Sequence, residues 1–243
     1  MDLEPLTIAL IAISALVGSI LAAVAGFGSA VVLLPVFVWA FGVRDAVPIL
    51  TVVQLVGNGS RVVLNRRELV LPVAGWFAVG AVPAAVVGGI VFVSAPAAFL
   101  ARFLGLFLLA AVAYRHSSLG RRAAMPLRRF AFLGAAAGFL SALVGTVGPL
   151  VAPFFLAYGL VKGAYIGTEA LTALTMHGVK LVVYGRAALL TPATVGVGLA
   201  IGVLMVAGTF IGKGLLDRMP ERIFVAVIDA TLVVSGLMLL FLG

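Results

Sequence analysis

"GFGSAVVLLP" at residues 26–35 breaks an apolar run that would otherwise continue from residue 5 to residue 42, and "GTVGPLVAP" at 145–153 repeats the break about 119 positions later. The first run holds 38 residues. As one helix at 1.5 Å per residue it would measure about 57 Å, nearly twice the roughly 30 Å hydrocarbon core of a bilayer. The run therefore cannot be one straight span. Gly26 and Gly28 permit the backbone angles of a reversal, and Ser29 is placed to cap a returning half-helix. Gly145, Thr146 and Gly148 repeat the arrangement, with Pro149 suited to a helix's first turn.

The surrounding composition sets the solvent. Of the 243 residues, 64% are hydrophobic and 10% charged, and mean hydropathy is +1.30. An ordinary soluble domain carries about 25% charged residues. The reading is an all-α integral membrane protein of one domain spanning 1–243. Apolar blocks fall at 5–42, 46–64, 71–93 and 97–114, then at 127–159, 164–184, 191–215 and 221–242. The first four form a repeat at about 5–114 and the second four a repeat at about 127–243, joined by a basic connector at 115–126. Gly26 corresponds to Gly145, Asn58 to His177, Gly59 to Gly178 and Arg61 to Lys180.

A net charge of +8 does not indicate nucleic acid, because the arginines sit in short connections between apolar blocks. They are topology signals instead. If every block crosses once, the repeats are parallel and ten Lys/Arg lie inside against six outside. If the first block of each repeat is a hairpin, each repeat has three true crossings and the two are inverted. Only Arg44, Arg102, Lys180 and Arg186 then fall outside, and the other twelve lie inside with the 115–129 loop in the cytoplasm. The positive-inside rule favours inverted repeats with both termini outside. The N-terminus lacks the basic region of a signal peptide and is read as retained.

Broken backbone is tolerated at membrane depth only inside protein or along a wet cavity. Two half-helix N-termini would there direct free N–H groups at a small anion. Polar residues gather in the next block of each repeat. Thr51, Gln54, Asn58 and Arg61 share one helical face, and Glu169, His177 and Lys180 share the equivalent one. Glu169 reads either as part of an ion pathway or as a packing partner for a cation on another helix. Lys180 and Arg61 could equally extend toward an interface. His177 can change charge near neutrality. Asp229, alone in the last apolar block, reads as a coupling acid or as the structural partner of Lys180 or Arg102.

There is no cysteine and no metal-ligand or nucleophile motif, so neither catalytic residues, a metal nor a cofactor is expected. Small-xxx-small patterns occur on too many helices to choose a dimer face, which leaves a homodimer open. The remaining function classes are a transporter, a passive anion channel, and a non-transporting assembly or lipid-handling protein.

The two breaks, together with the closing segment "GTFIGKGLLDRMPERIFVAVIDATLVVSGLMLL" at 208–240, resemble the sulfite exporter TauE/SafE family of prokaryotic permeases. The resemblance covers nearly the whole chain. It implies a multi-pass protein of the prokaryotic cell membrane that moves sulfite, an organosulfonate or a related sulfur-containing anion. The combined expectation is a secondary transporter working by alternating access, with a proton or sodium ion as the coupling ion. Gly26, Gly28, Ser29, Gly145, Thr146 and Gly148 form the paired half-helix site in this reading, and Asn58 and His177 flank it. Glu169, Asp229 and Lys180 belong to the coupling or ion pathway.

Overall fold

The computed structural model describes residues 4–94, 96, 125–145, 147–224, 226–227 and 230. Its elements are α1 (Pro5–Ala25), α2 (Ser29–Gly42), α3 (Arg44–Leu64), α4 (Leu71–Ser94), α5 (Phe130–Val144), α6 (Gly148–Ala157), α7 (Lys162–Arg186) and α8 (Pro192–Arg218). A 3₁₀ turn at Leu127–Arg129 leads into α5, and residues 221–224 are helical again. No strand occurs among the described residues. α1, α3, α4 and α8 are each long and apolar enough to cross a membrane. α7 has the length at 25 residues but carries Glu169, His177 and Lys180 along its course.

The two long blocks break where the glycines predict. α1 ends at Gly26 in the left-handed conformation, φ 86°, and α5 ends at Gly145 with φ 82°. Each glycine N–H closes its helix on the carbonyl four residues back, Ala22 at 2.9 Å and Ser141 at 3.0 Å. After the first break the chain doubles back. A Cβ on Gly18 would lie 3.0 Å from Ser29 Cα, and Ala30, Leu33 and Phe37 of α2 share one apolar core with Ile11 and Ala15 of α1.

Close approaches fix the helix directions. Gly134 and Gly138 of α5 sit on the carbonyls of Phe77 and Ala81 in α4, so these helices run parallel. Gly208 and Gly212 of α8 meet Leu16 and Ile20 of α1 in the same sense. The third long helix of each half thus packs on the first helix of the other half. Between the halves α3 and α7 run antiparallel, since Arg61 faces Glu169, Asn65 faces Gly167 and Glu68 faces Gly163.

Large apolar side chains point outward, including Leu6 and Ile13 on α1, Val79 and Ile90 on α4, Phe132 on α5, and Val203 and Phe210 on α8. In water these would form apolar patches of the kind that drives association; in a bilayer they face lipid. The interior is held by backbone proximity, because lipid removes the hydrophobic drive between helices. Gly134→Ala places a Cβ 2.0 Å from the Phe77 carbonyl oxygen, whereas Gly196→Ala meets nothing within 4 Å. The expected cost for Gly134→Ala is about 1–3 kcal/mol, read as a lower thermal unfolding midpoint in detergent with Gly196→Ala unchanged. Equal midpoints for the two variants would contradict the α4–α5 packing.

Candidate functional site

Both breaks open onto one cavity. Gly26, Phe27, Gly28, Ser29 and Ala30 line it from the first break, and Val147 and Gly148 from the second. Gln54 and Asn58 of α3, Ser141 of α5, and Glu169, Ala173, Met176 and His177 of α7 complete the wall. The room left for water-sized molecules is about 30 Å³, enough for only a few waters.

The helix starts explain the polarity of this space. In α2 the ladder begins with Val32 N–H donating to Gly28 C=O, so the amides of Ser29, Ala30 and Val31 precede it. In α6 it begins with Leu150 and Val151 donating to Val147 C=O, leaving the Gly148 amide ahead of Pro149, which has no N–H. Gly28 is the N-cap residue of α2 and no side chain caps that helix. Ser29 therefore does not have the capping role that its position predicts: its hydroxyl is hydrogen-bonded to the Gln54 side-chain amide at 3.1 Å.

Behind the wall lie two buried cations. Arg61 donates to the backbone oxygens of Ala22, at 3.2 Å, and Gly26, and to the Asn58 side-chain oxygen. Its guanidinium also faces Glu169 Oε2 at 3.4 Å. Lys180, fully buried, donates to the Ser141 backbone oxygen at 3.2 Å and to its hydroxyl at 3.1 Å. Each cation thus seals the C-terminal carbonyls of the helix that ends at the break in its own half. Neither extends to an interface. Asn58 donates in turn to the Gln54 carbonyl at 2.7 Å, and Tyr184 donates to the Ala142 carbonyl at 2.6 Å.

Two buried side-chain atoms here have no partner among the described residues. One is the Tyr165 hydroxyl, whose ring fills the space that a Cβ on Gly26 would need. The other is Nδ1 of His177, a residue that borders the cavity and is only 5% exposed. A buried imidazole nitrogen without a partner is costly unless something occupies the cavity.

Of the residues expected from sequence, Gly26, Gly28, Ser29, Gly148, Asn58, Glu169 and His177 meet at the cavity. Gly145 supplies the helix end without lining the space, and Lys180 stands behind Ser141. Thr146 and Asp229 lie outside the described residues. Gln54, Ser141 and Met176 join the wall without having been singled out as site residues. Gln54 lies one turn before Asn58, and the 119-residue register that pairs Arg61 with Lys180 also pairs Ala22 with Ser141. Among the described residues no group of three or more His, Asp or Glu is arranged to hold a metal ion.

The family model for the sulfite exporter TauE/SafE proteins matches residues 10–239. The chain belongs to that family. No curated protein and no solved structure matches it. The TauE/SafE proteins are membrane transporters, and the apolar helices of this chain agree with that setting.

Arg61 and Glu169 join the two halves in a setting where an unpaired charge is expensive. Arg61→Ala strands the Glu169 carboxylate and the Gly26 carbonyl, with an expected loss of about 3–5 kcal/mol. Pairing Arg61→Met with Glu169→Gln removes both charges and is expected to recover most of that loss. A double-mutant cycle by thermal unfolding in detergent tests this, and strictly additive costs would contradict a direct pair.

Proposed function

We propose that this chain is a secondary transporter that carries a small sulfur-containing oxyanion, such as sulfite or an organosulfonate, by alternating access. The observation behind this reading is the convergence of two helix N-termini, one from each half, on one cavity with an unpartnered imidazole nitrogen. N-terminal amides and the positive end of the helix dipole bind anions, and several oxygens on one centre can accept from both sides at once. Gly26, Gly28, Ser29 and Gly148 form the paired half-helix site with Gly145 as its second hinge, and Asn58 and His177 flank it.

The halves are read as inverted repeats, supported by the antiparallel α3 and α7 and by the reciprocal α4–α5 and α1–α8 packing. In that topology the basic 115–129 loop is cytoplasmic and both termini are outside, in a prokaryotic cell membrane. The small cavity corresponds to a closed state that widens toward one side and then the other. Its wall carries Glu169 and His177 as candidate proton carriers for coupling.

The test is uptake of radiolabelled sulfite and methanesulfonate by proteoliposomes, with and without an imposed proton gradient. Uptake above protein-free vesicles that follows the gradient is expected. His177→Ala should lower it about tenfold or more, the size of a lost hydrogen bond to a charged group, while Gly196→Ala leaves it unchanged. Flux that ignores every imposed gradient would favour a passive anion channel. No flux of either anion would remove the sulfur-anion assignment.

A further inference from the structure

The geometry points to a cavity that selects its anion by charge, accepting an oxyanion with a single negative charge and rejecting a dianion of the same shape. This rests on the anion-transport reading above and narrows its substrate class. Among the described residues no arginine or lysine is part of the cavity wall, and one carboxylate, Glu169, is. Among the described residues, attraction for an anion therefore comes from partial charges: the N-termini of α2 and α6, the Ser29 and Gln54 side chains, and the His177 imidazole that borders the cavity.

The fixed charges around the cavity set how much of that attraction is left. The N-terminus of a helix acts as roughly half a positive charge, so α2 and α6 together present about one. The C-termini of α1 and α5, reaching the same breaks, present about one negative charge in total. Arg61 faces Glu169 at 3.4 Å and also takes the α1 carbonyls, while Lys180 takes the Ser141 carbonyl that ends α5. With Arg61 set against Glu169 and Lys180 against the helix ends, the balance left for a ligand is about one positive charge. A monoanion meets that balance. A dianion brings a second charge into a buried site, where it faces the Glu169 carboxylate. Arg61 holds Oε2 of that group, and Oε1 takes no donor among the described residues.

Methanesulfonate and sulfate separate charge from shape, because both are tetrahedral and of similar size while one carries a single charge and the other two. The experiment is competition by each unlabelled anion against radiolabelled methanesulfonate uptake in proteoliposomes, paired with direct calorimetric titration of each anion into the purified protein in detergent. Sulfate is expected to compete and bind at least about tenfold more weakly than methanesulfonate, the factor that corresponds to about 1.4 kcal/mol. Glu169→Gln keeps the side-chain shape and an oxygen for Arg61 and removes the opposing charge, so it should narrow the ratio toward sulfate. Equal potency of the two anions on a protein that transports methanesulfonate would overturn charge selection and leave transport standing. A ratio unmoved in a folded Glu169→Gln variant would overturn the role of that carboxylate in setting it. Neither uptake nor binding of either anion would overturn both readings.

Discussion

The structure depends on the termination of two membrane helices at glycines, with a buried cation drawn onto each exposed end. A helix that stops inside a membrane leaves carbonyls without donors, and hydrocarbon offers none. Gly26 and Gly145 turn the chain and close on Ala22 and Ser141 with their own N–H groups, and Arg61 and Lys180 add further donors there, Arg61 also reaching the Gly26 carbonyl. Each cation would itself be costly to bury without those carbonyls. The helix ends thus offer the oxygens that let a cation be buried at the same point of both halves.

The equivalence is incomplete, and the differences lie where the two halves touch the cavity. Asn58, on α3, is engaged by Arg61 and by the Gln54 carbonyl, so it is locked into the wall. Its counterpart His177 has no partner for Nδ1 among the described residues. Arg61 has a carboxylate partner in Glu169, contributed by the other half, while Lys180 has only the oxygens of Ser141 among the described residues. One half is thus tied down and the other keeps a polar group available. Two halves with matching breaks therefore hold an asymmetric site, because the side chains that complete the wall differ between them.

Much of this was legible in the sequence because membrane burial writes in lengths and spacings. An apolar run too long for one span forces a break, and the glycine clusters inside the two long runs, repeated about 119 residues apart, mark where it falls. The stripes on α3 and α7 follow from helical periodicity. The misreadings come from directions in space that spacing does not encode. Ser29 stands where a cap belongs, but its hydroxyl meets Gln54, 25 residues away, once α3 packs alongside α2. Lys180 and Arg61 have stems long enough to reach an interface, and only the packed structure shows the helix ends that hold them inward. Ser141 meets Lys180 and the cavity only once α5 and α7 pack, and the register that pairs it with Ala22 is the one signal of it in the sequence.

A site built from helix ends also differs from one built from a lysine or arginine in what it demands of motion. A cation in the wall would hold an anion tightly and leave a buried, unpaired charge behind on release. Helix N-termini are parts of the backbone, so their attraction is divided between α2 and α6, which belong to different halves. In the proposed transport cycle, relative movement of the halves would separate the two dipole ends and weaken the hold on an anion, and it would draw on the buried Arg61–Glu169 pair as well. Arg61 and Glu169 lie across the same boundary, as do Asn65 and Gly167. The contacts that join the halves therefore adjoin the cavity, and on the proposed reading a movement that loosens them would also loosen the hold on an anion.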